Sequence, residues 1–234
     1  MKIIGLDSSG LVASVAVWED GCILAQYTTN HKKTHSQTLL PMLEQVKKML
    51  DLDLQTVDAI AIAAGPGSYT GLRIGSATAK GLGLALDIPL IEVPTLDGLA
   101  YHLWGTDRIV CPLMDARRGQ VYAGIYRVNG EVPEPILPQS AILLTEVLDK
   151  LNEIGERVVL LGDGVPVYRE QIREGLTVPY EEAPAHMNRQ SADVICTLGA
   201  KLLAEGKTVA ASEHAPIYLR TSQAEKEGPQ NFKI

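Results

Sequence analysis

Residues 3–21 read IIGLDSSGLVASVAVWEDG, and residues 109–130 read IVCPLMDARRGQVYAGIYRVNG. In each stretch an apolar run reaches an aspartate, Asp7 or Asp115, turns through residues that include glycine, and returns as an alternating strand. That is the pattern of a β-hairpin with its carboxylate near the turn. Two such openings roughly 105 residues apart predict a duplicated α/β unit, since internal similarity at that scale constrains a fold more than any single helix assignment. The likeness is one of pattern, not of identity.

The remaining segments fit two small α/β lobes. A strand is expected over 23–28, followed by a polar stretch, 30–36. A helix then places Leu39, Leu40, Leu43, Val46, Met49 and Leu50 at three- and four-residue steps. Pro41 is expected in its opening turn, where a missing N–H costs nothing. Residues 58–64 read as a central parallel strand, running into GPGSYTGLRIG at 65–75 and a helix over 76–86. Gly81 and Gly83 lower helix propensity there, so close approach of another element is the expected compensation. Further strands are expected at 88–93 and 158–161, and helices at 95–101, 140–152, 166–173 and 191–205. Residues 225–233 read as a loose tail. The expected division is 1–104 for the N-terminal lobe, 105–222 for the C-terminal lobe and 223–234 for the tail.

Composition narrows the function classes. With 46% hydrophobic residues but one Phe and two Trp among 234, the core must be aliphatic, filled by Ala and Gly as well as Leu, Ile and Val. A net charge of −7 offers no general attraction to nucleic acid or anionic membranes. Cys22, Cys111 and Cys196 are widely spaced and odd in number, which suits reduced thiols and forms no zinc or disulfide framework. The N-terminus enters directly as a strand, without an apolar leader or membrane span, so the cytoplasm is the expected compartment.

Several groups invite a chemical reading. Gly65, Gly67, Ser68 and Gly71 could form an amide nest for an anion at a helix start, or a tight structural turn. The stretch lacks the Gly-Lys-Ser/Thr ending of an ATPase phosphate loop and the GxGxxG dinucleotide pattern. Ser68 as a nucleophile lacks an identifiable base and a GxSxG setting, which leaves a protease reading unsupported. His31 and His35, at i,i+4 spacing, could share a metal, or His35 could orient a helix start or an interface. His102, His186 and His214 are too scattered to add ligands. Asp7, Ser8 and Ser9 are the weak candidates for a nucleotide phosphate and its magnesium, with Asp115 the symmetric position. There Arg117 and Arg118 replace small turn residues.

Four stretches carry a family resemblance: IIGLDSS at 3–9, HSQTLLPML at 35–43, AAGPGSYTGLRIG at 63–75 and PIYLR at 216–220. Together they make the whole chain resemble the TsaB/YeaZ family of bacterial tRNA threonylcarbamoyladenosine (t6A) biosynthesis. The resemblance implies the duplicated fold of the actin, sugar kinase and Hsp70 superfamily. It also implies a noncatalytic scaffold for the related subunit TsaD, which transfers threonylcarbamoyl to N6 of adenosine 37 in tRNAs reading codons that begin with A, together with the ATPase TsaE. ATP and Mg2+ would serve the wider complex, with nucleotide at most at a partner interface, and tRNA contacts would fall mainly to TsaD. The implied partner surface comprises His35, Leu39, Leu43, Val46 and Leu50 on the first helix and Ala77, Lys80, Gly81 and Leu84 on the second. The same surface would make a homodimer when TsaD is absent. The alternative reading is a small-molecule phosphotransferase or ATPase of the same superfamily.

Overall fold

The computed structural model describes residues 1–31 and 34–220. It contains two five-stranded mixed sheets. The first, in order β3-β2-β1-β4-β5, uses β1 (Lys2–Asp7), β2 (Ala13–Glu19), β3 (Cys22–Thr29), β4 (Ala59–Gly65) and β5 (Leu90–Pro94). The second, β10-β9-β6-β7-β8, uses β6 (Ile109–Asp115), β7 (Gln120–Arg127), β8 (Glu134–Leu143), β9 (Val158–Leu161) and β10 (Tyr180–Glu182). Both open with the expected antiparallel hairpin, and both place the next strand of the unit parallel to the first. Duplication of an actin-type α/β unit is therefore the architecture.

Helices α1 (His35–Met49) and α2 (Tyr69–Leu86) cover one face of the first sheet, closing a core of Ile4, Leu6, Val15, Val17, Ile60 and Ile62. Helices α4 (Leu144–Ile154), α5 (Gly164–Val167) and α6 (Arg169–Gly175) cover the corresponding face of the second. The other two faces are covered by exchange. Helix α3 (Thr95–Tyr101) sends Leu96, Leu99 and Ala100 into a core with Val110, Met114, Tyr126 and Leu161 of the second sheet. Helix α7 (Ala192–Ala204) returns to pack Ile195, Cys196 and Leu198 against Ile3, Ala16, Ala61 and Ile91 of the first. The division at residues 104 and 105 thus separates the sheets but not the layers, and 105–222 is not a self-contained lobe.

Some local expectations are corrected. Pro41 is the seventh residue of α1, not part of its opening turn; it lies on the exposed side, where water can satisfy the carbonyl that loses its donor. Helix α2 starts seven residues before the expected 76 because Ser68 acts as its N-cap, accepting a 3.3 Å hydrogen bond from the Gly71 N–H. Residues 140–143 belong to β8, so the helix expected over 140–152 begins at Leu144. The stretch 166–173 is split between α5 and α6. The expected tail, 223–234, lies outside the described residues.

Candidate functional site

The glycine-rich stretch and the first hairpin turn are packed into each other. The Ser68 N–H donates to the Ser9 carbonyl at 2.7 Å, and the Ser8 hydroxyl donates to the Gly71 carbonyl at 2.8 Å. A Cβ at Gly71 would lie 2.1 Å from the Ser8 carbonyl oxygen, and one at Gly67 2.3 Å from that of Ser9. Glycine is required here by backbone contact within the chain. Gly65 meets the backbone of Ile217, whose N–H donates to the Ala64 carbonyl at 2.7 Å, so the PIYLR stretch lies across the start of the motif.

Asp7 does not face the cleft between the sheets. Its side chain is buried, and its Oδ1 accepts from the Ser9 N–H at 2.9 Å and the Ser9 hydroxyl at 2.7 Å. Burial raises its pKa from 3.8 to about 6, opposed by the two Ser9 hydrogen bonds and the nearby His35. Asp115, the symmetric residue, accepts from the Arg117 N–H at 2.8 Å and from the Tyr168 hydroxyl at 2.9 Å. Asp163 accepts from the Asp115 N–H, and burial raises its pKa as well. Both hairpin carboxylates therefore tie their own turns.

The cleft itself has a volume of about 610 Å3, with Ser9, Gly67 and Ser68 on one wall and Asp115, Arg117 and Arg118 on the other. His31 and His35 both line it, but His35 is the first residue of α1, and its Nε2 lies 2.9 Å from the Gly10 carbonyl. It fastens the helix start to the first turn, one of the two roles the sequence left open. The sequence gave no site role to the cluster that closes the cleft. Tyr69 and Tyr218 have ring centroids 4.8 Å apart, the Arg73 guanidinium lies 4.2 Å from the Tyr69 centroid, and Arg220 donates to the Ala116 carbonyl of the opposite turn. Its only sequence signal is the tyrosine in each of the 65–75 and 216–220 motifs.

The two helices named as a partner surface differ. On α1, Leu39, Leu43 and Val46 are 1%, 5% and 3% exposed, and Leu50 packs beside them: all four belong to the core beneath the helix. The amphipathic stripe faces the chain's own sheet, as a stripe normally does. On α2, Ala77, Gly81 and Leu84 lie on the open side, Leu84 being 61% exposed. A Cβ at Gly81 would meet nothing within 4 Å, so the close neighbour expected there is not supplied by this chain. Gly83 does face one, with Ala211 at 2.8 Å. Lys80 turns away to donate to the carbonyls of Ser212 and His214 at 3.1 and 2.9 Å.

Comparison with known proteins agrees with this architecture. The family described as "TsaD: tRNA N6-adenosine threonylcarbamoyltransferase" matches residues 22–228. The tRNA threonylcarbamoyladenosine biosynthesis protein TsaB of Bacillus subtilis (strain 168) is 32% identical over 227 residues, covering 96% of each chain. That of Escherichia coli (strain K12) is 32% identical over 240 residues, covering 98% of this chain and 99% of its own. Among solved structures, YeaZ from Pseudomonas aeruginosa superimposes with a TM-score of 0.80 at 26% identity, over 93% of this chain and 99% of its own. On full-length similarity in both sequence and fold, the chain belongs to the TsaB/YeaZ family.

Proposed function

We propose that this chain is a noncatalytic accessory subunit in t6A formation, supporting TsaD as it transfers threonylcarbamoyl to N6 of adenosine 37 in tRNAs reading codons that begin with A. The observation that carries the reading is a contrast between two parts of α2. Its N-terminal motif spends its small residues on the chain's own hairpin turn, while Ala77, Gly81 and Leu84 leave an open face on which another helix can lie closely. Leu84 is the apolar anchor of that face. TsaD docks there, a second copy takes its place when TsaD is absent, and TsaE joins the assembly with ATP and Mg2+. No described helix is long and apolar enough to cross a membrane.

The alternative, a phosphotransferase or ATPase, needs a carboxylate that reaches a nucleotide's metal ion. Asp7 is 2% exposed and already engaged by Ser9, so the geometry does not favour it. Reconstitution tests both readings: TsaD, TsaE, threonylcarbamoyl-adenylate, ATP and tRNA are combined with and without this chain, and modified nucleoside is followed by mass spectrometry. Formation of t6A that needs the chain, with the chain alone inactive, is the expected result. Unchanged modification without it overturns the proposal, and ATP turnover by the chain alone, lost in Asp7→Asn, would favour the alternative.

A further inference from the structure

Each sheet ends in two edges, and three of the four edges are guarded. The outer side of β5 is met by Val209, which exchanges both backbone hydrogen bonds with Leu90 at 3.0 and 2.9 Å. Strand β8 carries Pro135 and Pro138, which cannot donate to a neighbour. Strand β10 is three residues long and ends in Glu181 and Glu182, which lie beside Arg108 and Arg169. Short strands, prolines, charges and covering segments are the devices that stop sheet edges from pairing.

Strand β3 has none of them. It runs for eight residues, CILAQYTT, without a charge or a proline, and stands at the end of its sheet with only β2 beside it. Ile23, Leu24 and Tyr27 are exposed, Tyr27 by 45%. Alongside it runs a groove of about 390 Å3 lined by Tyr27, Thr29, Gln37, Pro41, Met42 and Gln45.

We propose that β3 is a self-pairing edge at which a second copy of this chain adds antiparallel, joining the two first sheets into one ten-stranded sheet. A two-fold axis through Ala25 makes the pairing self-complementary. It sets Ile23 of each copy opposite Tyr27 of the other, giving two β-branched–aromatic cross-strand pairs. Ala25, which packs toward the α1 side, then meets its own copy, the least bulky arrangement available on this strand. A protein of net charge −7 repels its copy over most of its surface, and β3 offers an uncharged line of contact. Because α1 packs over β2 and β3, its two copies come to face one another across the axis and close the groove beside Tyr27. Each copy keeps the open side of α2 for another partner.

The test separates this edge from the α2 face. In the Leu84→Arg background, which removes any association through α2, sedimentation should still show a dimer, and the β3 amides should gain hydrogen-exchange protection as concentration rises. Adding Tyr27→Lys should lower the association constant at least tenfold and abolish that protection, while Ile23→Lys does the same independently. Near-identical circular dichroism among the variants ensures that the fold is being compared intact. A Leu84→Arg protein that is monomeric at every concentration, or a dimer untouched by both lysine variants, overturns the proposal.

Discussion

Asp7 shows how a residue that looks catalytic in the sequence can be spent on the fold. Above about pH 6 the folded state holds a buried carboxylate, whereas the unfolded chain ionises the same group at its ordinary value of 3.8. The folded state therefore binds more protons between those limits, and this group's contribution to stability falls as pH rises through the window. Asp7→Asn, which keeps an acceptor for Ser9, should raise stability above pH 6 by up to about 3 kcal/mol, with the gain gone below about pH 4. Denaturant melts of both proteins across pH 4 to 8 check this; a pH-independent loss would contradict the burial account. Gly71→Ala, by contrast, should cost about 1–3 kcal/mol or more at any pH, because its Cβ meets the Ser8 carbonyl with no room to yield.

At the scale of elements, α2 carries two kinds of glycine along one helix, and the same substitution should act with opposite signs. Gly81→Ala should stabilise the isolated chain by about 0.5–1 kcal/mol, since it gains helix propensity and meets nothing. Gly81→Leu and Leu84→Arg should leave the melting curve close to wild type yet weaken capture of TsaD at least tenfold, read by titration calorimetry. Leu43→Arg is no test of that surface: at 5% exposure it would bury a charge beneath α1 and unfold the protein. Helix α1 was legible as amphipathic, but its apolar spacing does not say whether the stripe meets the chain's own sheet or a partner. Only the position of β2 beneath it decides that, which is why Leu39, Leu43, Val46 and Leu50 were misread while Ala77, Gly81 and Leu84 were correctly placed on a surface.

At the scale of the whole molecule, the exchange of α3 and α7 makes each half depend on the other. Residues 1–104 alone would leave Ile3, Ala61 and Ile91 bare where Ile195 and Cys196 pack in the full chain. That fragment is expected to bind a hydrophobic dye and melt without cooperativity, and adding residues 105–220 in trans should restore a sigmoidal transition. A cooperative melt of 1–104 by itself would show that the first sheet needs no cover from α7. The exchange also explains the cleft: a chain that crosses between layers twice and then lays residues 216–220 over the glycine motif fixes the two hairpin turns opposite each other.

The sequence by itself determined the duplicated hairpins, the order of most elements and the family, because period-two alternation, turn glycines and motif spacing are local properties of the chain. It could also identify residues that need small neighbours. Only the tertiary structure decided what those neighbours are: Ser8 and Ser9 for Gly71 and Gly67, Ala211 for Gly83, and open space for Gly81. It alone placed α7 on the first sheet and left β3 as the unguarded edge. Which apolar faces are satisfied within one molecule depends on contacts between residues far apart in sequence, and hydrophobic spacing carries no label for the partner it will meet.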